Sequence, residues 1–301
     1  MTRDDTLLSI PPRPAQFFEL SADYVGAQAA GQLSTGWQLG TGNHSWCYRA
    51  QNFAVGLTWL DAGSELQHVD TPDEHVLAVL GEAAVEVYAG GQGPVKVRGQ
   101  SLVVVPAGES RVVGGIAGFV LTVFTARSTD AMAQARNGDA YAVPDPAVRE
   151  LPTLCPPRAP RGLQVYSVND FEAVGDVPGR PFRTDSLTVN WLASEIGPAD
   201  TSRMTPHSHA DYEQASVTLA GEYVHHVRRP WTARLADWRA DEHVHVTSPS
   251  IAIIPAGNIH TSRPIGAETN QRIDVFGVPR PDFVDRGMFI NRELYDIDYG
   301  L

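Results

Sequence analysis

The chain has 301 residues, 43% hydrophobic, 8% aromatic and 19% charged, enough to bury an ordinary core and unlike disordered or fibrous proteins. Asp plus Glu (35) exceeds Lys plus Arg (23), giving a formal charge of −12 with no basic run to offset it, so neither nucleic acid nor an anionic membrane surface is an expected partner. The 27 glycines and 22 prolines favour short strands and turns over long helices, and the length fits two domains.

Runs of β-branched and apolar residues, bounded by Gly, Pro, Asn and Asp, fall into two clusters. In the first, residues 53–60, 76–87, 95–98, 102–105 and 119–125 read as strands; residues 131–136 read as a short helix. Pro144, Pro146, Pro152, Pro156, Pro157 and Pro160 then mark a connector. In the second cluster, residues 187–191, 215–227, 251–254 and 271–277 read as strands. The predicted class is all-β.

The clusters repeat one another. Trp59-Leu60 matches Trp191-Leu192, and Val79-Leu80-Gly81-Glu82 matches Leu219-Ala220-Gly221-Glu222. Val105-Pro106-Ala107-Gly108 matches Ile254-Pro255-Ala256-Gly257, and each half ends in a strand containing Val-Phe. A duplicated β-barrel explains these anchors, with residues 1–143 and 161–301 as the two domains and 144–160 as the linker.

Of the basic residues, 22 are arginine and one, Lys96, is lysine, leaving a single candidate for amine chemistry. Cys47 and Cys155 are too few for a disulfide framework or a cysteine zinc site, and read as reduced thiols of a cytoplasmic protein. The acidic N-terminus and the lack of any run of ~18 apolar residues give no signal peptide or membrane span. Phosphate-loop, dinucleotide and Gly-x-Ser-x-Gly signatures do not occur.

The second half contains Pro206-His207-Ser208-His209, then Glu213-Gln214 and Gly221, and later Pro255-Ala256-Gly257-Asn258-Ile259-His260. Histidines at i and i+2 on extended chain face the same way and can reach one ion. A third histidine follows the Pro-x-Gly turn. Together these motifs resemble the cupin superfamily, whose pattern is His-x-His, three or four residues, Glu, six residues, Gly, and then Pro-x-Gly-x-x-His. The resemblance covers most of the chain and implies two tandem cupin barrels of the jelly-roll (double-stranded β-helix) type, a bicupin.

By that resemblance, His207, His209 and His260 hold a divalent metal. Glu213 or Gln214 completes the shell; Gln214 satisfies both spacings and is favoured, whereas Glu213 satisfies one. Histidine and amide or carboxylate ligands suit iron, manganese, nickel, cobalt and zinc alike, with Fe(II) favoured. In the first half, His68, Asp70, Glu74 and Gly81 occupy the first motif and Arg111 the third-histidine position. A guanidinium cannot ligate a cation, so this barrel reads as metal-free and structural, with Arg111 facing Glu74 and Asp70. His75 reads as a rim residue, with a His68, Glu74 and His75 site as the alternative.

Further candidates surround the motifs. His245, with His243, extends the pocket, and Tyr212 hydrogen-bonds bound substrate or oxygen; both are candidate catalytic residues. Arg203 and Arg263 hold a substrate carboxylate. Either His225 or His226 faces the interior, and His226 is a further candidate substrate-binding residue. Residues 229–242, with Trp231, Trp238, Arg234 and Arg239, form a flap or a subunit interface, and residues 291–301 pack back across a barrel. The expected function is that of a mononuclear non-haem iron oxygenase acting on a small anionic substrate, a carboxylate or aromatic acid. A redox-neutral isomerase, decarboxylase or lyase is one alternative and a non-catalytic binding protein another. A homodimer is expected.

Overall fold

The computed structural model describes residues 13–20, 44–154, 161–175 and 178–295. The run 76–87 divides into strands His75–Val79 and Ala84–Ala89 around Gly81, and the run 215–227 into Gln214–Ala220 and Glu222–Arg228 around Gly221. At the second turn φ is +79°, and a Cβ on Gly221 would lie 2.2 Å from Asn270 Oδ1, so only glycine fits. Glu65–Thr71, Gly108–Ile116, Glu242–Thr247 and Ile259–Pro264 are also strands. They are too polar or glycine-rich to stand out as apolar runs. The expected helix forms slightly earlier, at Thr129–Ala133.

Each half builds two antiparallel sheets. The larger N-terminal sheet runs in the order Gln164–Ser167, Ser101–Val105, His75–Val79, Gly118–Thr125, Phe53–Leu60, His44–Arg49. It faces a sheet ordered Glu65–Thr71, Gly108–Ile116, Ala84–Ala89, Gln92–Arg98. The larger C-terminal sheet runs Gln16–Glu19, Ser250–Ile254, Gln214–Ala220, Thr269–Phe276, Thr188–Leu192, Gly179–Arg183, and faces Glu242–Thr247, Glu222–Arg228, Ile259–Pro264. The all-β, two-barrel plan is the one expected.

Sheet membership crosses the expected boundaries. Gln16–Glu19 pairs with Ser250–Ile254, and Gln164–Ser167 pairs with Ser101–Val105, so each barrel takes an edge strand from the other half. Covering a bare edge removes its unpaired amides from solvent. The described part of the connector, residues 144–154, ties the halves together: Asn52 donates to the Arg149 carbonyl at 2.7 Å, and Arg149 pairs with Asp211 at 2.5 Å. At the other end, Asn291 donates to the Arg183 carbonyl and Tyr295 O–H to Glu74, so residues 291–295 pack back as expected; residues 296–301 lie outside the described set.

The two larger sheets pack back to back. Val55, Leu57 and Val123 share one buried cluster with Val189, Trp191, Val217, Ile251 and Ile273. This shared face is apolar in both halves; in the N-terminal barrel, whose interior is apolar too, the central strands do not alternate. The opposite faces line the barrel interiors, and there the halves differ. Leu66, Leu77, Val79, Val85, Val103 and Val120 fill the N-terminal barrel. Burial of such a side chain contributes about 1.5–3 kcal/mol. The C-terminal interior instead receives Asn190, Gln214, Ser216, Thr218, His225 and Asp274, all buried.

Five atoms of that second interior, Asn190 Oδ1, Thr218 Oγ1, His225 Nε2, Ser250 Oγ and Arg272 Nε, are buried without a hydrogen-bond partner among the described residues. Each such group costs about 1–3 kcal/mol. No helix among the described residues is long and apolar enough to cross a membrane. Cys47 is buried and its thiol is pushed up to about 12 by desolvation; Cys155 lies outside the described residues.

Candidate metal centre

The two sequence motifs are joined by backbone. His207 N–H donates to the His260 carbonyl at 3.0 Å and His260 N–H returns to His207 at 2.8 Å, while Gly257 N–H donates to the His209 carbonyl at 2.6 Å. The His-x-His segment is therefore extended chain held by one bridge, and the Pro-x-Gly turn brings the third histidine beside it. The ring nitrogens of His207, His209 and His260 come within 4.8 Å of one another. Among the described residues, this is the one cluster of three His, Cys, Asp or Glu side chains with that spacing.

Gln214 Oε1 lies 3.1 Å from both His209 Nε2 and His260 Nε2. Glu213, its neighbour on the strand, faces the other way, as alternation demands. Its carboxylate accepts from Gln51 N–H at 2.5 Å and from Arg13 and Tyr141 O–H at 3.3 Å each. The choice left open by spacing is settled as to direction: Gln214 points at the histidines, and Glu213 is corrected from candidate ligand to a buried tie between the two halves.

A divalent cation fits this donor set. His260 Nδ1 and His207 Nδ1 lie 2.9 Å from the carbonyls of Asn258 and Thr205, which only accept, so each Nδ1 carries a proton and Nε2 is the atom a neutral ring offers as a lone pair. His260 Nε2 then faces the Gln214 oxygen, acceptor against acceptor, a contact that a cation relieves. Desolvation pushes His209 down to about 3, with Arg280 adding to it, and His260 down to about 4, so both rings are neutral donors at neutral pH. His209 is further gripped by Tyr212, stacked at 4.7 Å, and by Phe276, edge-on at 5.2 Å.

Beside the cluster lies a cavity of about 360 Å³ lined by His207, Gln214, His260, Asn190, Ser262 and Arg272, among others. Its lining holds three arginines, Arg272, Arg280 and Arg286, against two aspartates, Asp274 and Asp282. One net positive charge suits an anion. Arg272 Nη1 donates to both carboxylate oxygens of Asp274 at 2.7 Å, and Arg280 covers the Phe283 ring at 4.0 Å. Sequence reasoning missed all three arginines. The alternation Arg272-x-Asp274 on the last strand was the available signal; Arg280 and Arg286 lie beyond the repeat and carry none.

Several expected site residues lie elsewhere. His226 and Arg263 occupy the outer face of the small sheet, alternating with the inward His225 and Ser262, and His226 contacts His243 at 2.7 Å. His245 is on that same outer face, bonded to Glu222 at 2.9 Å, and Arg203 is exposed. None of these four lines the cavity. His226 and Arg263 line, with His243 and Asp241, a second cavity of about 480 Å³ that also reaches His260. Tyr212 packs on His209 and does not line the cavity. Of residues 229–242, Asp241 lines that second cavity and none lines the first; Trp231 and Trp238 stack on each other at 4.4 Å.

The N-terminal counterpart differs from expectation in register. His75 pairs with Val105 as Gln214 pairs with Ile254, so His75, not Glu74, stands where Gln214 stands. Counting back from the glycines misleads because Gln214–Ala220 carries an irregularity between Thr218 and Ala220. His75 is 2% exposed, not a rim residue, and stacks on Phe124 at 4.7 Å. Glu74 turns away to Arg161 at 2.8 Å, and Arg111 pairs with Glu65 at 2.8 Å and covers Tyr88, rather than meeting Glu74 and Asp70.

The buried neutral histidines make metal-free protein acid-sensitive. His209 and His260 titrate below the ordinary histidine value of 6.5, so the unfolded chain binds more protons on acidification. Their contribution is complete above about pH 6.5 and is lost as pH falls toward the folded values. Each costs about 1.4 kcal/mol per pH unit in that window. A melting series on chelator-treated protein from about pH 7 to about pH 5 should show a steady decline; a flat series would mean these rings are charged when folded.

No family model and no curated protein matches the chain. Solved structures do. Oxalate decarboxylase from Lactobacillus farciminis is 12% identical, covering 88% of this chain and 86% of that one, with TM-score 0.57. Protein Ylba from E. coli is 12% identical, covering 93% and 98%, with TM-score 0.56. AerE from Microcystis aeruginosa is 10% identical, covering 80% and 95%, with TM-score 0.54. At this identity the likeness establishes fold, and with the tandem barrels above it gives the class: the chain has the bicupin fold.

Proposed function

We propose that the C-terminal barrel is a divalent-metal enzyme centre for a small acid bearing a carboxylate and an adjacent oxygen, and that its reaction is redox-neutral, of the decarboxylase or lyase kind. The observation that carries this is the convergence of three imidazoles and one amide oxygen on the wall of a cavity with one excess positive charge. His207, His209, His260 and Gln214 would hold the metal, supplying Lewis-acid polarisation of the chelated oxygens. A neutral ligand set leaves the ion its full charge, which favours an anionic chelate.

The chain's own groups do the rest. Arg280 and Arg286 draw the carboxylate into the cavity, and Arg272, held flat by Asp274, offers its buried Nε–H to a substrate oxygen. Asn190 Oδ1 accepts a substrate hydroxyl in the same way. Ser262 lines the cavity and contacts His225 Nδ1 at 2.8 Å; desolvation pushes His225 down to about 3, so this pair relays a hydrogen bond without adding charge. Oxalate decarboxylase among the similar structures agrees with redox-neutral chemistry. The oxygenase reading uses the same ligands and differs in consuming dioxygen.

The test is metal analysis of untagged protein followed by turnover of short dicarboxylic, hydroxy and keto acids, with carbon dioxide release and oxygen uptake recorded together. Bound manganese, iron or a related ion with carbon dioxide release and no net oxygen uptake is the expected result. Stoichiometric oxygen uptake would replace it with the oxygenase reading. No retained metal and no turnover would leave a binding protein.

A further inference from the structure

The Gln214 amide has two ends, and nothing in its shape tells oxygen from nitrogen. The neighbours do. Ser216 lies two residues on, on the same face of the strand, directly opposite Asp274 on the adjacent one. Its hydroxyl donates to the Asp274 carboxylate, which only accepts. Its oxygen receives Arg272 Nη1–H at 3.3 Å and Gln214 Nε2–H at 3.1 Å. With the single proton committed to Asp274, the serine has only lone pairs left, so the amide must present N–H to Ser216 and oxygen to the histidines.

His260 alone would prefer the reverse. The Nε2 lone pair of His260 would accept from an amide N–H, and a flipped Gln214 would cap the ring and compete with an ion. We infer that Ser216 and Asp274, braced by Arg272, are positioning residues that lock Gln214 with its oxygen toward the histidine cluster and so keep the centre open to a cation. The arrangement sets a local conflict that a divalent ion resolves. This rests on the metal-centre reading, and deepens it by naming what makes a glutamine serve where either orientation fits the space.

The test is a Co(II) titration, read by visible absorption and calorimetry, on unsubstituted protein, Ser216→Ala, Gln214→Glu and the double variant. A carboxylate offers oxygen at either end and needs no orienting. Ser216→Ala should therefore weaken Co(II) binding by about tenfold or more, the range for lost outer partners of ligands. In the Gln214→Glu background the same change should cost less than about threefold, because nothing remains to flip. Thermal melts of the metal-free forms check that all four fold. No loss in Ser216→Ala, or an equal loss in both backgrounds, overturns the inference while leaving the metal centre intact. Failure of the unsubstituted protein to bind Co(II) overturns the metal-centre reading itself, and this inference with it.

Discussion

His260→Ala should abolish retention of a divalent metal and leave the barrel folded. The imidazole is the meeting point of the site: its ring lies 4.5 Å from that of His207 and 5.3 Å from that of His209, and its Nε2 faces Gln214 Oε1. Its backbone, not its ring, makes the paired bridge to His207, and alanine keeps that bridge. Loss of an outer partner of a ligand costs 10–100-fold in affinity, so loss of a ligand should exceed about 100-fold. Metal content after gel filtration and a melting curve under chelator measure the two halves of the expectation. The chelated variant should stay folded at neutral pH and lose less stability than the chelated parent as pH falls toward about 5, because the buried ring that titrates low is gone. Retained metal at parental affinity would move the centre away from this cluster.

Glu213→Ala should do the opposite: destabilise the protein strongly and leave metal affinity nearly unchanged. The Glu213 carboxylate is 2% exposed and ties the second half to Arg13, Tyr141 and the backbone of Gln51 in the first. Arg13 in turn lies 4.0 Å over the Tyr141 ring and donates to the carbonyls of Ala140 and Val143. Removing one member of a buried pair costs about 3–5 kcal/mol, since the other is left without its counter-charge. Denaturant melts of metal-free Glu213→Ala should show that loss, whereas Co(II) affinity measured below the transition should stay within about threefold. If metal affinity instead collapsed as in His260→Ala, Glu213 rather than Gln214 would be the residue the centre depends on.

These two outcomes turn on adjacent residues, and they show where sequence reading stops. The repeat, the all-β class, the strands 53–60, 102–105 and 119–125, and the trio His207, His209 and His260 are legible because each is a local pattern. Alternation marks strands, and motif spacing fixes which side chains share a face. The lack of a third histidine in the first half is legible too, because no histidine follows its Pro106-Ala107-Gly108 turn before residue 207.

What the tertiary structure alone decided is everything that depends on which strand lies next to which. Whether Glu213 or Gln214 faces inward follows from pairing with Ile254 and Phe276, partners tens of residues away in the chain. The same registers place His75 at the position of Gln214 and send Arg111 to Glu65. His226, His245 and Arg263 neighbour the motifs in sequence, yet alternation turns them to the outer face of the small sheet, where His226 and Arg263 line a separate cavity. Arg272, Asp274 and Ser216 came together only when two strands distant in sequence paired. The interlocked edge strands Gln16–Glu19 and Gln164–Ser167 are the largest such effect: bare sheet edges seek any complementary strand, and chain order does not say which barrel will supply it.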